Sequence, residues 1–155
     1  MGNWAIIGLG NAFRGDDGVG PYVIECLRAQ VMPSIDCIEN NGDMGSLVAE
    51  WCKRRVYLID AVQSSKSDAG TVVRVNGLMD VIPPTRCTTS SHGLNLAEAL
   101  ELSKHLDTLP VELDVYGICG SDFSLNAGLS TTVKSAADQV VQEILEKLNV
   151  QTGGL

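Results

Sequence analysis

Two patterns take turns along this chain. Short unbroken apolar runs are followed by longer stretches in which apolar residues return every three or four positions. "WAIIGL" (Trp4 to Leu9) is the first run, stopped by Gly10, and it predicts a strand buried on both faces. "GPYVIECLRAQVM" follows with Val23, Leu27 and Val31 at helical spacing and predicts a helix that stops near Pro33. "IDCIEN" (Ile35 to Asn40) predicts a second strand. "DMGSLVAEWCKR" predicts a helix with Asp43 as its N-cap. "RRVYLIDA" predicts a third strand ending at Asp60.

The second half repeats the alternation with one exception. "TVVRVNG" (Thr71 to Gly77) is rich in β-branched residues and follows the third strand too closely for a helical crossover, so it is expected to run antiparallel. "MDVIPPTRCTTSSH" is irregular, because Pro83 and Pro84 exclude a regular element. "GLNLAEALELSKHL" predicts a helix with its N-terminus at Ser90–His92, and "VELDVYGICG" (Val111 to Gly120) the last strand. "STTVKSAADQVVQEILEKL" predicts a long amphipathic helix burying Val133, Ala137, Val140, Val141, Ile144 and Leu148. The order β-α-β-α-β-β-α-β-α predicts a three-layer α/β/α domain with a mostly parallel, doubly wound open sheet of about five strands. In such sheets ligands bind beyond the carboxyl ends of the strands, at the point where strand order reverses. Chemistry is therefore expected there.

Composition narrows the class. A chain of 155 residues, 45% of them hydrophobic, suits one folded domain, here residues 1–150 followed by a short tail at 151–155. The net charge of −8 repels a phosphate backbone and argues against a nucleic-acid partner. No basic, apolar leader and no membrane-length apolar run is visible. The five cysteines are odd in number and none form C-x-x-C, as expected of a reducing compartment. A cytoplasmic protein is expected, and a monomer, since no long exposed apolar stripe is evident.

The first strand leads into "IIGLGNAFRGDDGVG", which has the outline of a phosphate loop with the wrong charge. Gly10 and Gly15 have P-loop spacing, but Asp16 and Asp17 stand where Lys and Ser/Thr would follow. The Rossmann fingerprint fails at Phe13, and no G-x-S-x-G elbow occurs. A partly buried carboxylate facing a phosphate at about 4 Å costs roughly 4 kcal/mol at an effective dielectric near 20. The loop thus suits a cation. Asp60, at the end of the third strand, is expected on the same rim. His92 sits at a loop–helix junction, whereas His105, late in a helix beside Lys104 and Asp107, reads as an exposed residue. Two carboxylates and an imidazole form a mixed site suited to Ni²⁺ or Zn²⁺, with positions open for water or substrate.

Taken together, "GLGNAFRGDDGVG", "LIDA" and "SSHGLNL" resemble the maturation endopeptidases of nickel–iron hydrogenases, over nearly the whole chain. The resemblance implies the same three-layer fold. It implies that Asp17, Asp60 and His92 bind nickel and act in catalysis, with Asp16 and Gly42 of "NNGDMGSLV" in contact with substrate. The nickel belongs to the substrate, an immature hydrogenase large subunit, and the free protease holds it weakly. One cut, after a His or Arg near the last cysteine ligand motif, removes a C-terminal extension. The chemistry implied is either metal-assisted, with the ion polarising a carbonyl or water, or aspartic, with Asp17 or Asp60 as base.

Two other readings use the same carboxylates. A receiver domain of two-component signalling would make Asp60 a phosphoacceptor, with Asp16 and Asp17 on Mg²⁺. It would need a Lys at the end of the last strand, where this chain has "YGICGSD". A non-enzymatic nickel-handling chaperone is the other.

Overall fold

The structure is a computed structural model, and it describes residues 3–63, 67–80 and 96–151, apart from the side chains of the last two. Five strands form one sheet in the order β2-β1-β3-β5-β4. They are β1 (Trp4–Leu9), β2 (Asp36–Asn40), β3 (Arg55–Val62), β4 (Val72–Asn76) and β5 (Glu112–Cys119). All neighbours are parallel except β4, which runs antiparallel to β5, as the short connection requires. The helices are α1 (Val19–Arg28), α2 (Met44–Glu50), α3 (Leu96–Leu106) and α4 (Thr131–Gln151). None of the described helices is long and apolar enough to cross a membrane.

The alternation along each strand divides the interior into two cores. Ile6, Tyr57, Ile59, Tyr116 and Ile118 face α1 and α4, where they meet Val23, Leu27, Val133, Ala137, Val140 and Ile144. Ala5, Ile7, Val56, Leu58, Leu113 and Val115 face α2 and α3, where they meet Leu47, Trp51, Leu96 and Ala99. The six residues expected on the inner face of the last helix are all buried. Both faces of the sheet are covered, which is why its strands read as continuous apolar runs.

Several boundaries differ from the sequence expectation. The strand containing Asp60 continues two residues further, because β5 still pairs with it at Ala61↔Ile118 and Val62↔Cys119. The second helix ends at Glu50 instead of reaching Arg54. Trp51 leaves the helix to bury its ring, and its indole N–H donates to Ser103 Oγ on α3 at 2.7 Å. Lys53 then takes a positive φ of 57°. Asp43 does occupy the N-cap position, with its carboxylate accepting from the Ser46 hydroxyl at 2.5 Å. The predicted start of the third helix at Ser90–His92, and the prolines before it, lie outside the described residues.

The sheet order fixes where a site can form. From β1 the chain crosses to β2 on one side, then returns past β1 to β3 on the other. The strand order reverses at the boundary of β1 and β3, so a crevice opens at their carboxyl ends.

Candidate active site

The crevice begins where β1 and β3 part. Their ladder ends at Gly8↔Ile59, so Asp60 is the first β3 residue without a β1 partner. It remains paired to β5, opposite Gly117. Asp60 continues the alternation of Val56 and Leu58, which puts it on the sheet face covered by α2 and α3.

Beyond Leu9 the chain turns away sharply. Gly10 has a φ of +133°, and its N–H donates to the Asn40 carbonyl of β2 at 3.0 Å. A Cβ there would lie 2.0 Å from the backbone oxygen of Asp17, so only glycine lets the returning loop close on β1. The loop re-enters as a 3₁₀ turn, Gly15–Gly18, that leads directly into α1. All four residues of the turn are buried, Asp16 and Asp17 among them. Asp17 Oδ2 accepts the Asn11 N–H at 2.9 Å.

Asp17 and Asp60 thus reach one crevice from different segments. Asp60 is only 4% exposed. Burial, reinforced by the charge of Asp17, drives its carboxyl well above the usual carboxylate range, although the Ala61 N–H pulls in the other direction. Asp60 Oδ1 has no hydrogen-bond partner among the described residues. A buried carboxyl oxygen left in this state, beside a second carboxylate, is a natural place for a proton or a cation. Divalent ions suit such oxygens.

The other expected residues are distributed less simply. His92 lies outside the described residues. Among the described residues, no group of three or more His, Cys, Asp or Glu side chains is arranged to hold a metal ion. His105 is exposed on α3, as its position suggested. Gly42 follows β2 on the same edge of the sheet with a φ of 97°, and its N–H donates to Asn40 Oδ1 at 2.7 Å. Asn40 is the organiser there: Oδ1 also accepts from Asp43 N–H, and Nδ2 donates to Glu50 Oε1 at 2.8 Å. The sequence signal for Asn40 is its place, closing a strand just before Asn-Gly, which is a turn signal. Asp16, expected to meet substrate, instead turns its carboxylate inward to Ser121, Asp122 and Ser130. Those partners are more than a hundred positions away, and nothing local announces them.

Known proteins give this arrangement a context. A family model described as hydrogenase maturation protease matches residues 44–147, a stretch that includes Asp60 and follows the Asp16–Asp17 turn. The fold is similar to hydrogenase maturating endopeptidase HybD from E. coli, at a TM-score of 0.74 and 22% identity over 97% of this chain and 94% of that one. It is similar to the [NiFe] hydrogenase maturation protease HybD from Thermococcus kodakarensis, at 0.70 and 27% over 96% of this chain and 99% of that one. HycI from the same organism aligns at 0.69 and 23%, over 94% of this chain and 91% of that one. No curated protein sequence matches the chain.

Proposed function

The chain belongs to the hydrogenase maturation protease family, and from that premise we propose that it trims the C-terminal extension of an immature nickel–iron hydrogenase large subunit, with Asp17 and Asp60 reading the nickel that this precursor carries. Membership makes it a peptidase, hence a hydrolase.

The observation that carries this reading is the buried carboxyl pair. Asp60 presents an oxygen without a hydrogen-bond partner among the described residues, beside the charge of Asp17. In the free protein Asp60 favours its proton, and a metal ion must displace that proton before the carboxylate can bind. Free nickel is therefore held weakly. Nickel already fixed in the precursor brings its other ligands with it and loses less on docking. The pair thus favours a precursor that has received its metal. His92 is the third ligand in this proposal, or the proton partner of the carboxyls.

The cut itself is a hydrolysis. One carboxylate takes a proton from water as the oxygen adds to the scissile carbonyl, and a proton passes to the departing amine. The products are a trimmed subunit ending in a new carboxylate and a released peptide. The receiver reading finds no support in the last strand, which runs into Gly120, Ser121 and Asp122 without the Lys that it requires.

The test pairs this protein with a large-subunit precursor, nickel-loaded or nickel-free, and reads intact mass. Loss of a C-terminal peptide from the loaded form alone is the expected result. Asp17→Asn and Asp60→Asn should each lower the rate by about a hundredfold or more while leaving the fold intact. Cleavage at the wild-type rate by both variants would remove the pair from the mechanism.

A further inference from the structure

We infer that Asp16 is a positioning residue, a buried clamp that holds the turn carrying Asp17 against the loop after β5 and the first turn of α4. Its kinetic consequence rests on the proposed precursor-processing reading; its structural consequence does not.

The clamp is built from both directions. Asp16 Oδ2 accepts the Ser121 and Asp122 N–H groups at 2.8 and 3.0 Å. Oδ1 accepts the Ser130 N–H at 2.8 Å, and the Ser130 hydroxyl reaches both oxygens at 3.0 Å. The Ser121 hydroxyl adds a longer contact of 3.4 Å. In return, the N–H of Asp16 donates to the Asp122 carbonyl at 2.8 Å. Gly120 completes the fit, because a Cβ there would stand 2.7 Å from Asp16 Cβ.

The donors resemble those that cradle a phosphate: successive backbone N–H groups, a hydroxyl and a helix N-terminus. Ser130 immediately precedes α4, and its carbonyl accepts the Lys134 N–H, so the carboxylate lies at the positive end of a 21-residue helix. The protein fills this anion cradle with a carboxylate of its own.

Asp16 belongs to neither apolar core. Most of the loop it grips is exposed, including Ser121, Asp122 and Ser124 through Gly128. Releasing it would leave the sheet and its helices packed, while the turn bearing Asp17 loses its tie. Asp17 faces a different partner, the Asn11 N–H, so its position depends on that turn staying in place.

The experiment compares Asp16→Asn, Ser130→Ala and Ser130→Thr with the wild type. Asp16→Asn keeps the shape but turns amide hydrogens toward the donors; Ser130→Thr retains the hydroxyl that Ser130→Ala removes. With nickel-loaded precursor, kcat should fall about tenfold or more in Asp16→Asn, less in Ser130→Ala, and recover in Ser130→Thr, with KM within about threefold throughout. Without substrate, the amides of Asn11 and Asp17 should exchange at least about tenfold faster in Asp16→Asn, while those of Ile6 and Leu58 in the sheet keep their protection. Wild-type protection of Asn11 and Asp17 in both Asp16→Asn and Ser130→Ala would overturn the clamp. So would protection lost equally across β1 and β3, which would mark a general stability role, or a change in KM alone. If the wild type cleaves no precursor, the processing reading fails, and the exchange result still decides for or against the clamp.

Discussion

At Asp60 the protein keeps a carboxyl where its charge is least welcome. Burial first and Asp17 second raise its pKa above the unfolded value. A group raised in this way contributes stability that is fully present below the unfolded pKa, about 3.9, and is lost as pH rises through the folded pKa. Asp60→Asn removes the charge but keeps the shape. It should therefore melt higher than wild type near about pH 8, with the gain vanishing near about pH 4; each kcal/mol corresponds to roughly 2–4 °C for a chain of this size. Thermal melts at the two pH values check this. A variant that loses activity and gains stability would show that the site is held at a cost to the fold. Asp16 has the opposite sign. Burial pushes its carboxyl up, but the hydrogen bonds of Ser121, Ser130 and Asp122 outweigh that and hold it below the usual range. Its contribution is present above the unfolded pKa and lost as pH falls through the folded one.

At the scale of elements, β1 and α1 meet in a close backbone joint. A Cβ on Gly20 would lie 2.2 Å from the Leu9 carbonyl oxygen, and one on Gly8 would lie 2.4 Å from the Gly20 carbonyl oxygen. At Gly20 the three nearest atoms are all backbone, so no side chain can swing aside there. Gly20→Ala should destabilise by at least about 2 kcal/mol, measured by urea unfolding, because overpacking forces the strand and helix apart. This joint also shows what was legible beforehand. Apolar runs revealed the strands because the sheet is covered on both faces, and the short link after β3 announced the antiparallel β4. The extent of β3 beyond Asp60 depends on β5, far along the chain, and the early end of α2 depends on where Trp51 finds Ser103. Neither is a local property. Asp17 was legible as a carboxylate standing where a phosphate loop would carry Ser or Thr, and Asp60 as a charge closing an apolar run. Asp16 looked equivalent to Asp17, and only its distant partners separate a scaffold carboxylate from one facing the crevice.

For the whole molecule, the acidic balance and the two covered sheet faces argue for a protein that stays apart from its copies. Among the described residues the large exposed apolar side chains are Phe13 on the loop after β1 and Leu125 on the loop after β5, whose segments meet through the Asn126 N–H and the Phe13 carbonyl, with Met32 after α1, Leu78 and Met79 after β4, Leu106 at the end of α3 and Val111 just before β5. We expect a monomer in sedimentation experiments across a hundredfold range of concentration; a concentration-dependent dimer would contradict it. The burial of Asp17 and Asp60 has a further bearing on the life of such an enzyme. A processing protease spends nearly all its time among proteins it must not harm. Cleaving machinery that lies open to any passing chain needs an inhibitor or a compartment to keep it safe. If Asp17 and Asp60 cut as proposed, their burial keeps them from an unstructured polypeptide drifting past, and only a precursor that seats itself in the crevice at the ends of β1 and β3 reaches them. Restraint of that kind would need no separate guard.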